Sequence, residues 1–297
     1  MLRNTALAGA STPSLYGMEN VSLAVTPLDD SRRDEVLAFL NRKPTHTFMM
    51  VGLIRDNGLE STLNRGTFYA CRDPRGMLAG VALIGEITMI EAHTDAALET
   101  LARRTQGVPN IYMIIGEQRQ TRLFWDYYAE AGQEMRLCCR ELLLELRYPV
   151  EVHPPVPGLR PATLAEVEPL MSVHAEMAFE ESGVNPLEVD PEGFRRRCAR
   201  RIEQGRTWVY IKQGRLIFKA DVISETPEII YLEGVYVSPE ARGQGYGVRC
   251  LSQLSQHLLA HAKSICVLVN ERNQAAQALY RKARYKPDGI YDTVFLH

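Results

Sequence analysis

Residues 229–248, Ile-Ile-Tyr-Leu-Glu-Gly-Val-Tyr-Val-Ser-Pro-Glu-Ala-Arg-Gly-Gln-Gly-Tyr-Gly-Val, decide the fold. An apolar strand passes through Ser238-Pro239 into a loop with glycines at 243, 245 and 247, and then into a helical pattern. A helix N-terminus offers unpaired backbone N–H groups and the positive end of the helix dipole, which together suit a phosphate or pyrophosphate. Glycines just ahead of it let the backbone take positive φ and approach a ligand without a Cβ in the way. The stretch therefore reads as an anion cradle.

Spacing separates the families of phosphate loop. A mononucleotide loop needs Gly-Lys-Ser or Gly-Lys-Thr at the helix start, whereas Gly247 is followed by Val248 and Arg249. A dinucleotide fingerprint counted from Gly245 needs a sixth-position glycine, where Cys250 stands. What fits is Arg-x-x-Gly-x-Gly, read as Arg242, Gly245 and Gly247, directly after a strand ending Val-Tyr-Val-Ser-Pro. This pattern resembles the coenzyme A loop of the GNAT superfamily of N-acetyltransferases. The resemblance implies acetyl-CoA as co-substrate. It also implies contacts to it from Val235, Tyr236 and Val237 on the strand, and from Arg242, Gly243, Gln244, Gly245, Tyr246, Gly247 and Val248 in the loop.

The chain beyond the loop agrees. Leu251, Leu254, Leu258 and Leu259 recur at helical spacing, and Ser264–Asn270 is a short β-branched run that reads as a buried strand. Asn273-Gln-Ala-Ala-Gln-Ala-Leu-Tyr280 then reads as a helix opened by an asparagine cap. In the GNAT pattern this segment is Asn-x-x-Ala-x-x-Leu-Tyr, which implies Asn270 and Asn273 as further coenzyme contacts and Tyr280 beside the sulfur. Where relatives carry glycine and then an aromatic, this chain has Arg284-Tyr285.

Composition narrows the partners. Among 297 residues, 45% are hydrophobic and 24% charged, with a formal net charge of −2, values of a soluble globular chain without bulk attraction for nucleic acid or membrane. No apolar run approaches the length of a membrane span, and Met1–Asn20 lacks the apolar core of a secretion signal. Residues 1–20 read as a loose leader. The six cysteines form no C-x-x-C and no disulfide framework, so they read as reduced thiols of a cytoplasmic protein. His257 and His261 are four apart on one helix but lack a third ligand, and no metal is expected.

The four prolines between Tyr148 and Arg160 interrupt any helix or central strand and place a linker at 151–159. The two sides share a layout. Met77–Ile90 reads as strand material, Asp95–Arg104 as helix, Ile111–Ile115 as strand, Thr121–Ala131 as helix and Leu142–Leu146 as a closing strand. Ile111-Tyr-Met-Ile-Ile-Gly-Glu runs parallel to Ile265-Cys-Val-Leu-Val-Asn-Glu. The expected fold is α/β with an α+β mixed sheet, two tandem GNAT-like acyl-CoA N-acyltransferase folds. A degenerate one spans 21–150 and the acetyltransferase domain spans 160–297. Where the first half should cradle pyrophosphate it reads Glu91-Ala-His-Thr-Asp-Ala-Ala-Leu98, without glycine and with Asp95 at the helix start, where it caps the helix and repels phosphate. Its role is then either to cover the partner sheet or to shape the acceptor pocket.

By the same resemblance, Gly234–Val237 is the strand that splays at a bulge, and the N–H of Val235 is the oxyanion donor. Tyr280 is the general acid. Glu233 is either the general base, directly or through water, or an edge-facing solvated glutamate. The base that some relatives carry on the next strand is missing, because Leu268 stands there. Leu164, Val167, Leu170, Met171, His174 and Met177 form a core-facing stripe that ends at Phe179-Glu180-Glu181. Those two glutamates either bind a cationic amine or form a solvated terminus. Helix 191–204 carries Arg195, Arg196, Arg197, Arg200 and Arg201, a solvated face or a receiver of an acidic acceptor or partner. Lys219 and Asp221 share one strand face as an ion pair. The expected activity is acetyl transfer from acetyl-CoA to a small-molecule or peptide primary amine, directly within a ternary complex. The alternatives are another acyl-CoA donor or a non-catalytic acyl-CoA-binding module.

Overall fold

The β-branched and aromatic runs build a single mixed sheet of twelve strands in a computed structural model that describes residues 22–297. The leader expected over 1–20 lies outside the described residues. The first half runs β1 (Ala24–Pro27), α1 (Arg33–Leu40), α2 (Pro44–Asn57), β2 (Gly66–Arg72), β3 (Leu78–Gly85), β4 (Ile87–Ala92), α3 (Asp95–Gln106), β5 (Met113–Glu117), α4 (Gln118–Tyr128) and β6 (Met135–Leu146). After a proline-rich segment without helix or strand come β7 (Arg160–Pro161), α5 (Val167–Ser182), α6 (Pro186–Val189), α7 (Pro191–Glu203) and β8 (Thr207–Lys212). The chain finishes with β9 (Arg215–Glu225), β10 (Ile229–Val237), α8 (Tyr246–Leu258), β11 (Ser264–Asn270), α9 (Gln274–Lys282) and β12 (Lys286–Leu296).

The strand order is β1-β2-β3-β4-β5-β12-β6-β11-β10-β9-β8-β7. Two pairs are parallel, β4 with β5 and β10 with β11, and they occupy matching places in the two halves. The centre departs from two side-by-side sheets. The closing strand expected at Leu142–Leu146 is the end of the long β6, which leaves its own half and pairs antiparallel with β11. In return β12 pairs with β5 of the first half, and β6 and β12 pair with each other along most of their length. Each half thus completes the sheet of the other. Both strands are long, 12 and 11 residues, so the exchange satisfies their backbone groups without leaving an open edge at the centre.

Helices cover both faces. The aliphatic faces of α8 and α9 (Leu251, Leu254, Leu258, Tyr280) pack on β9–β11 and on the end of β6. On the first half, α3 and α4 bury Leu98, Leu101, Phe124 and Tyr128 against Val294 and Leu296 of β12. A third cluster joins the halves. Phe48 of α2 packs at a tilt against Tyr231 with ring centroids 4.8 Å apart, and the Tyr291 hydroxyl donates to the Thr45 carbonyl at 2.6 Å. The stripe on α5 holds for Val167, Leu170 and Met171, but Leu164 is exposed because it sits in a separate 3-10 turn ahead of the helix. Among the described residues, no helix is long and apolar enough to cross a membrane and no group of three His, Cys, Asp or Glu side chains is placed to hold a metal.

Candidate functional site

Strand β10 is regular only at its start. Its parallel ladder with β11 runs from Ile229↔Ser264 to Leu232↔Val267 and stops, so Glu233–Val237 diverge from β11. On the other side the register with β9 jumps between Glu233↔Asp221 and Tyr236↔Lys219, which leaves Gly234 and Val235 as a bulge. Gly234 sits at φ +59°, and a Cβ there would lie 2.6 Å from the Lys219 Nζ, so both the turn and the close approach require glycine. On the β11 side, the backbone between Glu233 and Val237 therefore carries hydrogen-bonding groups that no neighbouring strand takes up.

The glycine loop follows at once. Gly243 and Gly245 adopt φ +76° and +78°, and Gly245 is the N-cap of α8. A Cβ at Gly243 would meet nothing within 4 Å, so the space above the loop is open. Gly247 is glycine for another reason: a Cβ there would press on Val237 and Leu279, 3.0 and 3.1 Å away. The N–H groups of the first turn of α8 thus face an open, exposed loop, the geometry that suits a pyrophosphate. Arg242 folds back to donate from Nε to the Val237 carbonyl at 3.1 Å, strapping strand to loop. The Tyr246 ring lies under Arg249, and its hydroxyl accepts from Lys212 Nζ at 2.9 Å.

Across the divergence, the Asn273 side chain caps α9 by accepting from the Ala276 N–H at 3.0 Å. Asn270 is occupied locally, its Oδ1 accepting from the Arg272 N–H at 2.9 Å. Tyr280 is buried against Tyr285, and burial together with the nearby Glu233 carboxylate raises its phenol well above the usual value, so it stays protonated at neutral pH. Tyr280, Glu233 and the bulge are thereby brought together.

The cleft holds more acid than the sequence suggested. Burial pushes the Glu141 carboxyl on β6 up to about 7, against the opposing bond it accepts from Thr293 Oγ1 at 2.6 Å. Desolvation, with Glu141 and Glu233 alongside, pushes Glu181 at the end of α5 up to about 8. Desolvation also raises Glu233, with the Arg201 guanidinium opposing. Glu181 and Glu233 both keep solvent-accessible surface, so the three carboxyls line a wet cleft rather than a sealed core. Glu141 was not legible beforehand, since it lies in the first half and reaches this cleft only through the strand exchange. Arg136, also on β6, holds the end of α5 by donating from Nη1 to the Ser182 carbonyl at 2.7 Å.

Three further expectations change. His174 is not simply a member of the core stripe: its Nδ1 lies 3.4 Å from Lys219 Nζ and its Nε2 3.4 Å from Asp221 Oδ2. The arginines of α7 are largely taken by intramolecular partners. Arg195 bonds Glu168, Arg197 bonds Asp190, and Arg200 reaches Asn57 of α2, while Arg201 approaches the buried Asp221. In the first half the helix after β4 is capped by Thr94, whose side chain accepts from the Ala97 N–H, while Asp95 pairs with Arg119. The first-half divergence is filled from within. The β4–β5 ladder ends at Thr88↔Ile114, and beyond it Gln120 accepts from the Ala92 N–H and donates to Glu91, both at 2.8 Å.

Residues 173–284 match the model of the Acetyltransferase (GNAT) family. No curated protein matches the chain. Among solved structures, a Drosophila protein is similar with a TM-score of 0.66 at 16% identity, over 92% of this chain and 98% of that one. An acetyltransferase of the GNAT family from Colwellia psychrerythraea aligns with a TM-score of 0.58 at 11% identity, over 93% of this chain and all of the other. A tandem GNAT protein from the clavulanic acid biosynthesis pathway aligns with a TM-score of 0.56 at 14% identity, over 92% and 98%. At these identities the likeness is one of fold: two tandem GNAT-like folds spanning the described chain.

Proposed function

We propose that this chain, whose residues 173–284 match the acetyltransferase (GNAT) family model, is an acetyl-CoA-dependent N-acetyltransferase acting on a cationic primary amine. That match supports the coarser activity, acyl transfer from an acyl-coenzyme A to an amine. One observation carries the finer reading: the bulged, diverging β10 runs directly into the glycine loop, with Glu233 and Tyr280 beside the opened ladder.

In this reading the first N–H groups of α8 hold the pyrophosphate, and the pantetheine pairs with backbone groups that Val235, Tyr236 and Val237 present on the side left open by β11. Glu233, directly or through water, takes a proton from the acceptor ammonium. The freed lone pair forms the C–N bond while the carbonyl π pair moves onto oxygen, where the Val235 N–H meets it. Collapse re-forms the carbonyl and expels the thiolate, which takes the phenol proton of Tyr280. The amine nitrogen then gives up its second proton, which restores the phenol, and the net reaction releases one proton. Direct transfer needs no acetyl-enzyme, and the buried Cys250 and Cys266 thiols, held protonated by burial, offer no nucleophile.

The cationic acceptor is supported by Glu141, Glu181 and Glu233. Like charges this close resist joint ionisation, and an ammonium among them relieves that resistance. With Glu141 and Arg136 supplied by β6, the first half (21–150) helps shape the acceptor pocket, while 160–297 holds the donor and 151–159 links them. The test is coenzyme A thiol release from acetyl-CoA with a panel of amines. Diamines and aminoglycosides are expected to turn over and amino dicarboxylates are not. Acetyl-CoA binding without thiol release from any amine would overturn the reading, and faster release from succinyl-CoA would change the donor.

A further inference from the structure

We infer that Lys219 is a positioning residue for acyl transfer, its buried ammonium gripping the Gly234 carbonyl and thereby aiming and strengthening the Val235 N–H as a donor. The inference rests on the reading of the β10–β11 divergence as the acyl site.

Lys219 has no exposed surface and Asp221 has 1%. Replacing a buried ion pair with apolar residues is often neutral or stabilising, so stability alone is a weak reason to hold one here. The bonding pattern supplies another. The three N–H bonds of the ammonium have three acceptors: Asp221 Oδ2 at 2.7 Å, the Gly234 carbonyl at 2.8 Å and His174 Nδ1 at 3.4 Å. Asp221 is itself fixed by Thr207 Oγ1 at 2.7 Å. Burial, and then the charge of Lys219, push His174 down to about 3, so its imidazole is neutral and Nδ1 is free to accept. Lysine, aspartate, threonine and imidazole thus form one satisfied unit whose single bond to backbone lands in the middle of the bulge.

That landing point matters. A trans peptide points its C=O and N–H in opposite directions, so drawing the Gly234 oxygen towards Lys219 turns the Val235 N–H away from it. Neither residue has a partner on β9, and the ladder to β11 has already ended at Leu232. A cation on the carbonyl oxygen also draws electron density across the amide, which makes the N–H a stronger donor. A preorganised donor of this kind has most effect where an oxyanion develops, as the amine adds and the carbonyl π pair moves onto oxygen. Gly234 is the counterpart of Lys219, because a Cβ would displace the ammonium.

The test compares Lys219→Met with the double variant Lys219→Met/Asp221→Asn, which avoids leaving a buried carboxylate unpaired. The double variant is expected to fold and to bind acetyl-CoA within about twofold of wild type, with kcat lower by roughly 10- to 100-fold. The Val235 amide nitrogen is expected to move upfield in its NMR spectrum as the polarising charge is lost. A folded double variant with unchanged kcat, or an unmoved Val235 resonance, would overturn the inference and leave Lys219–Asp221 a structural pair. Wild-type protein that binds acetyl-CoA yet acylates no amine instead overturns the acyl-site reading. The Val235 resonance then decides separately whether Lys219 controls this peptide.

Discussion

At the residue scale, Gly245 and Tyr280 separate donor binding from chemistry. Gly245 sits at φ +78° at the mouth of α8, so Gly245→Asp adds backbone strain and a negative charge where a pyrophosphate would rest. Acetyl-CoA affinity is expected to fall by at least about tenfold by calorimetry, with the fold intact. Unchanged affinity would move the donor site elsewhere. Tyr280→Phe removes a proton donor but keeps the packing against Tyr285. It is expected to lower kcat by about 100-fold with little change in the KM for acetyl-CoA, and equal loss of both would recast Tyr280 as a packing residue. The carboxyls make the acceptor side pH-dependent. With Glu141 and Glu181 raised to about 7 and about 8, they shed protons as the pH climbs through that window, and the cleft becomes more negative. The KM of a cationic amine should therefore fall across the same window, and Glu181→Gln should flatten the profile. A KM that rises with pH in wild type would place the amine outside these carboxyls.

At the scale of elements, the bulge in β10 and the packing of α2 carry the site. Helix α2 belongs to the first half but lies across β9 and β10 of the second, where Ser224 Oγ donates to the Phe48 carbonyl at 2.6 Å. The approach is close because Gly52 faces Ser224, and a Cβ at Gly52 would lie 2.2 Å from that hydroxyl oxygen. Gly52→Val is expected to destabilise the protein by about 2 kcal/mol, measured by urea unfolding, with Ser224→Gly restoring part of it. A neutral result would mean that α2 can lift without loss. Sequence periodicity located α8, β11 and α9 well, because their apolar stripes and the Asn273 cap are local signals. It located the Asp221 partner of Lys219 but not the Gly234 carbonyl, since an ion pair two residues apart looks the same whether or not a carbonyl from the next strand completes it.

At the scale of the whole molecule, the exchange of β6 and β12 makes the halves interdependent. Residues 160–297 alone lack β5 and β6, which would leave the long edge of β11 and both edges of β12 unpaired. Residues 22–150 alone lack β12, the antiparallel neighbour of β5 and β6. Each fragment is expected to be insoluble or unfolded when expressed singly, and co-expression should recover a soluble complex with one cooperative melting transition. A fragment 160–297 that folds and turns over by itself would show that the exchange is dispensable. What the sequence by itself determined is local: the glycine loop, its strand and helix, the asparagine cap, the tyrosine and the two-half layout. Each of these is written in the spacing of neighbouring residues. Only the tertiary structure decided which strand each half would complete, that Glu141 would face Glu181 and Glu233, and that a buried lysine would reach the Gly234 carbonyl. Those contacts join residues far apart in the chain, and alternation fixes a strand's faces without fixing its neighbours.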